Sequence, residues 1–313
     1  MIFDSESVFE ENVITVLKQH GWKDGVLRYP TERDLLDNWK GILYRNNNDI
    51  DRLGKYPLTD GEMTQIIEQI ETLRTPLALN SFVNGRTVSI TRDNKEDVAH
   101  FGKEVSLYIY DRKEIAGGKS TYQIAQQPVY PAKNKMLNSR RGDLVLLING
   151  MPLIHIELKK SGIPVSQATN QIEKYAHEGV FTGLFRLVQI FVAMNPDDAV
   201  YFANPGVDKF NPSYYFHWAD YNNEPICGGQ NPGKDEWKLF IGGTSGTAGL
   251  LSIPMAHQLI GFYTIADSAD GCLKVLRSYQ YIAANAISDV VRKCDWEQRP
   301  ATPGRPGGYV WHT

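Results

Sequence analysis

The chain has 313 residues, 42% of them hydrophobic, enough to bury one large core or two smaller ones. Its formal net charge of -3 excludes a globally basic polyanion binder, so any nucleic-acid contact must come from local patches or from partner subunits. Cys227, Cys272 and Cys294 fit neither a zinc spacing nor a disulfide framework, and no long apolar run or charged-then-apolar leader is present; the expectation is a reducing, cytoplasmic setting with no membrane insertion or export.

The first predicted element is a helix. Residues 4–21 begin with capping residues, contain Ser7-x-x-Glu10 and end at Gly21. Glu6 and Glu10 lie one turn apart, and Glu10 runs directly into the apolar stripe of Val13, Ile14 and Leu17. A carboxylate in line with a buried face invites a functional role, although acids also favour a helix N-terminus for its dipole alone. Residues 30–85 read as mainly helical: Thr31 can cap a helix from Glu32 to Tyr44, and Thr59-Asp60 one through Thr72. Arg86 to Thr91 and Val105 to Tyr110 read as strands that extend a central sheet, with a charged loop between them. Lys133, Lys135, Arg140 and Arg141 then fall in one loop, which suits a phosphate backbone or a solvated surface.

Leu144 to Ile148 and Leu153 to Leu158 are apolar runs on either side of Asn149-Gly150, the pattern of an antiparallel hairpin buried on both faces. Side chains alternate, so His155, Glu157 and Lys159 share a face, with Glu157 and Lys159 about 6 to 7 Å apart along the strand. A strict two-residue turn sets Asp143 opposite Ile156, on the wrong face. A three-residue loop or a bulge at Gly150 turns Asp143 toward Glu157, and the odd-length or bulged turn is the expectation. Two carboxylates about 4 Å apart repel by roughly 4 kcal/mol at a dielectric near 20, or about three pKa units. A hard divalent cation with a nearby ammonium relieves that repulsion and makes a centre able to hydrolyse a phosphodiester. The same spacing also fits a surface hairpin with Glu157 and Lys159 as an ion pair.

Lys160 to Pro164 breaks the strand, and Ser166 can cap a helix through Glu178 on which Gln167, Gln171 and Tyr175 form one polar stripe. Leu187 to Met194 is a further apolar run, so this helix makes a right-handed crossover to a parallel strand. Trp218 is read as packing rather than base stacking. Leu276, Tyr279, Ile282, Ala283, Ala286, Ile287 and Val290 define an amphipathic helix carrying Gln280, followed by a Pro- and Gly-rich loop over residues 299–308.

Asp143 with Glu157-Leu158-Lys159 resembles the Asp...Glu-x-Lys signature of the restriction-endonuclease-like nucleases. The string from Asn149 through Lys160 resembles the R subunit of type I restriction enzymes, as do Phe185 through Met194, Tyr201 to Asn204 and Phe216 to Trp218. Gln171 and Tyr175 are similar to the Gln-x-x-x-Tyr motif of the RecB-like branch. The resemblance implies an α/β fold with a restriction-endonuclease-like core, a mixed central sheet flanked by helices, and additional helices. It implies Asp143, Glu157 and Lys159 as catalytic residues, with Asp143 and Glu157 binding Mg2+, Gln171 and Tyr175 contacting DNA, and Glu10, ahead of Glu6, completing the site. Gln280 stands where superfamily 2 helicases carry an adenine-reading glutamine, though it is also simply one glutamine on a helix. Residues 307–313 resemble the approach to the phosphate-binding loop of the ATP-driven translocase, and no Gly-Lys-Thr follows. The implied division is an endonuclease domain over 1–260 and the start of a translocase domain over 261–313, an N-terminal piece that would use ATP only in the full-length protein. Double-stranded DNA and the modification and specificity subunits are the implied partners. A stand-alone RecB-like nuclease and a non-catalytic docking module that keeps the fold are the alternatives.

Overall fold

The computed structural model describes residues 2–115, 117–131, 140–207, 209–229, 235–269 and 271–293. Lys133, Lys135, Cys294 and the segments 299–308 and 307–313 lie outside the described residues.

Helix α1 (Glu6–Gln19) leads into a short strand β1 (Val26–Arg28), then α2 (Glu32–Asn46), α3 (Asp60–Thr72) and α4 (Pro76–Asn84). Thr31 and Thr59 each cap their helix in a reciprocal capping box, with Asp34 and Glu62 reaching back, so the starts of α2 and α3 fall where the capping residues put them. α1 falls within the expected span and is capped by Ser5 rather than Ser7: the Ser5 hydroxyl accepts the N–H of Val8, and Glu10 lies inside the helix on its buried side.

Strands β2 (Thr87–Thr91) and β3 (Glu104–Tyr108) follow, then β4 (Tyr122–Gln126), β5 (Leu144–Ile148), β6 (Met151–Leu158), helix α5 (Val165–Glu178), β7 (Ile190–Met194) and β8 (Ala199–Ala203). The central sheet has six strands in the order β1-β4-β5-β6-β7-β8, with β1/β4 and β6/β7 parallel and the other pairs antiparallel. This is the mixed sheet flanked by helices expected of the chain. β5 and β6 lie at its centre and are buried along their whole length, as strands covered on both faces must be. α5 links β6 to the parallel β7 and packs Ala168 and Ile172 against Phe191, Ala193, Val200 and Phe202. Pro164 occupies the cap position of α5 and Ser166 lies inside the helix, so the expected serine cap is not used.

The strands over residues 86–110 do not extend this sheet. β2 and β3 form a two-stranded antiparallel ribbon of their own. Their burial alternates, so they can cover one side only, and the side chain of Gln65 on α3 occupies the backbone N–H and carbonyl of Thr91. Arg92 fastens the ribbon beneath: it is wholly buried, 2.6 Å from Glu62 and 2.9 Å from Asp97, and donates to the Pro57 and Tyr56 carbonyls.

Beyond β8 come α6 (Glu236–Gly242), α7 (Met255–Phe262), the hairpin β9 (Thr264–Asp267) and β10 (Cys272–Val275), and α8 (Ser278–Lys293). The boundary placed at 260/261 falls within α7, and one apolar cluster runs from Phe3 through the central strands to Leu273 and Val275. Trp218 is buried in it, with its indole N–H on the Ala248 carbonyl, so it packs as expected. No helix among the described residues is long and apolar enough to cross a membrane.

Candidate active site

The hairpin register brings the charged residues together. Asn149 and Gly150 form a two-residue turn with φ of 52° and 84°, the left-handed pair that matches the twist of antiparallel strands. Asn149 accepts the Thr121 N–H at 2.8 Å, and a Cβ on Gly150 would lie 2.8 Å from the Trp39 backbone, so the turn is held on both sides. The turn is therefore not odd in length, and the expected bulge at Gly150 lies further along. Leu147 pairs with Pro152 but Leu146 pairs with Ile154, which leaves Leu153 as the extra residue. Pro152 has no N–H to give the ladder, and a bulge is one of the few places a strand accommodates proline. From Leu144↔Ile156 the register continues to Asp143 opposite Glu157.

Asp143 accepts the Leu158 N–H at 2.7 Å. Glu157 is fully buried, and neither of its carboxylate oxygens has a hydrogen-bond partner among the described residues. Lys159 Nζ lies 3.5 Å from Glu157 and 3.7 Å from Glu6, and donates to the Leu158 carbonyl. Burial pushes the Glu157 carboxyl up to about 7 against the pull of Lys159. Burial and then the charge of Glu157 push Asp143 well up too. Ionising both carboxyls together is costly without a cation beyond Lys159.

Glu10 and Glu6 both reach this cluster from α1. Glu10 is buried, takes hydrogen bonds from Gln126 and Gln127, and lies close enough to Asp143 for their charges to interact; burial raises its carboxyl. Glu6 is half exposed beside Lys159. The Gln-x-x-x-Tyr pair lies alongside: Gln171 donates to the Tyr175 hydroxyl at 2.7 Å, which donates to the Arg141 carbonyl at 2.8 Å. Tyr175 is only 6% exposed, so it ties α5 to the start of β5, and Gln171 is the more accessible of the two. Of the basic loop, Arg140 forms a double hydrogen bond with Glu178, while Arg141 is exposed with its guanidinium 5.8 Å from the Tyr29 ring. Gln280 is not drawn to this cluster; it accepts the Arg277 N–H at the start of α8.

Residues 4–210 match the family described as "Type I restriction enzyme R protein N terminus". The chain belongs to this family. It is 29% identical, over its whole length, to the type I restriction enzyme SsaAORF53P endonuclease subunit of Staphylococcus saprophyticus and to the SauMSSORF170P endonuclease subunit of Staphylococcus aureus, and it spans 29% of the length of each. It is 26% identical to the type I restriction enzyme EcoprrI endonuclease subunit of Escherichia coli, with 99% of this chain and 90% of that one covered.

Within this R-protein N terminus, four residues near the carboxylates were not singled out in the sequence. Gln126 and Gln127 sit on and just after β4, a strand that the sequence reading omits, and they hold Glu10. Tyr130 and Gly142 surround His155, whose place on the Glu157 face was read but given no role. Alternation on β6 signalled His155, and no local pattern signalled the other four.

Proposed function

We propose that this chain is the endonuclease domain of a type I restriction R subunit and hydrolyses DNA phosphodiester bonds with a divalent cation, Mg2+. The observation that carries the reading is Asp143 and Glu157 facing each other beside Lys159, with both Glu157 oxygens buried and neither of them hydrogen-bonded among the described residues. These donors fit a hard cation. No group of three or more His, Cys, Asp and Glu side chains suited to a metal is gathered among the described residues, and Mg2+ is commonly held by one or two carboxylates with water and substrate phosphate completing the set. Asp143 and Glu157 would hold the ion, which when bound supplies a Lewis acid for the phosphate oxygens and a more acidic water.

The chain's own residues orient the rest. The Leu158 N–H fixes Asp143 Oδ2, and Lys159 Nζ stands where it can orient an attacking water or a phosphate oxygen for in-line attack on phosphorus. Glu10 adds a buried carboxyl behind Asp143, and Glu6 holds Lys159 from the solvent side. Gln171 and Tyr175 would contact the DNA, Gln171 being the more exposed, and Arg141, bonded to Tyr175 through its carbonyl, would add a cation for the backbone. In the longer protein this domain would act in the cytoplasm with ATP-driven translocation and with modification and specificity subunits, Gln280 serving the nucleotide side.

Cleavage assays on Glu157→Ala and Lys159→Ala test the reading. Each should lose at least about 100-fold in DNA cleavage, given the several kcal/mol of charge stabilisation such a centre supplies, without loss of fold. Wild-type cleavage by folded Glu157→Ala would refute it.

A further inference from the structure

Glu157 Oε2 and His155 Nε2 lie 3.4 Å apart. Both atoms are buried, and neither has a hydrogen-bond partner among the described residues. On its far side the imidazole is engaged, with Nδ1 2.8 Å from the Tyr130 hydroxyl. Tyr130 is itself 1% exposed, and its ring meets Phe185 edge-on at 4.6 Å. The imidazole plane is set by edge contacts with Phe181 at 5.5 Å and Phe191 at 6.0 Å. Space for the pair is made directly beside Asp143: a Cβ on Gly142 would lie 2.5 Å from the Tyr130 hydroxyl and 2.9 Å from the imidazole Cε1. A histidine held this tightly, with one nitrogen committed and the other 3.4 Å from a carboxylate oxygen, can present that nitrogen to it.

We infer that Tyr130 and His155 position Glu157 for cation binding, Tyr130 donating its O–H to Nδ1 so that Nε2 carries the proton and presents it to Glu157 Oε2. That leaves Oε1, 3.5 Å from Lys159 Nζ, to be shared between the cation and the ammonium. The inference rests on Glu157 as a cation ligand, and it makes His155 and Tyr130 positioning residues that do not touch the substrate. Outer partners of this kind, when removed, typically cost about 10- to 100-fold in metal affinity.

Mn2+ titration of the full chain by calorimetry, with imidazole 15N chemical shifts, tests it. His155→Leu should weaken Mn2+ by about 10- to 100-fold and Tyr130→Phe by less. His155→Gln places an amide N–H near the Nε2 position and should return affinity to within about threefold of wild type, following the same donor logic. The shifts should report the Nε2–H tautomer. Wild-type affinity in folded His155→Leu, no recovery in folded His155→Gln, or the Nδ1–H tautomer would overturn the inference while leaving the nuclease reading in place. A wild-type chain that binds no Mn2+ would overturn both. If His155→Leu does not fold, the glutamine variant and the tautomer decide.

Discussion

Burial holds the Glu157 carboxyl up at about 7, well above the ordinary value of 4.5, and on the proposed reading this is the residue on which the chemistry turns. A carboxyl raised in the folded state keeps its proton where the unfolded chain has lost it. Below pH 4.5 both states are protonated and the group contributes nothing; between 4.5 and 7 the folded state is progressively disfavoured, and above 7 the full cost remains. The cost is on the order of 3 kcal/mol. In chelator, Glu157→Gln should therefore stabilise the protein at pH 8 and hardly at pH 4.5, measured as the difference in melting temperature from wild type. Mg2+ should stabilise wild type more at pH 8 than at pH 5, since it competes with the protons. A Glu157→Gln difference that does not vary with pH would count against the buried, uncompensated carboxylate.

The hairpin is the element that makes the site. Deleting Leu153 would remove the bulge and still leave Asp143 opposite Glu157, because the two strands would then run in step outward from Ile148 and Met151. The expected outcome is a folded but less stable protein that still cleaves DNA; cleavage lost from a folded deletion variant would mean that the pairing of Asp143 with Glu157 does not by itself set the site. The apolar runs and Asn149-Gly150 made this hairpin legible in the sequence, and the need for a register shift followed from the alternation of side chains. Its location did not, although Pro152 marks it: a proline in a central strand needs a bulge or an edge. The capping boxes at Thr31 and Thr59 were equally legible because they are local. The placement of β2 and β3 was not, because a short alternating strand pairs as readily with its neighbour as with a distant sheet; the choice rests on Gln65 and Arg92 contacts made across the fold. Gln126, Gln127 and Tyr130 were illegible for the same reason, being linked to Glu10 and His155 over long stretches of chain.

Across the whole molecule, one apolar cluster joins α1, the central strands and the β9–β10 hairpin, so the carboxylates sit on a rigid support rather than on loops. The outlying ribbon is attached by a buried charge. Arg92→Met should leave Glu62 and Asp97 buried without their cation and cost about 3 to 5 kcal/mol, read as the shift of the urea unfolding transition. An unchanged midpoint would show that the ribbon does not depend on this clip. The central claim is that the Asp143 carboxylate takes part in cutting DNA rather than in holding the fold. Its most direct test is Asp143→Asn, which keeps the shape and removes the charge, in the assembled restriction complex. Mg2+-dependent DNA cleavage should be lost while the melting temperature in chelator stays at or above that of wild type. Cleavage at the wild-type rate by this variant would contradict the account.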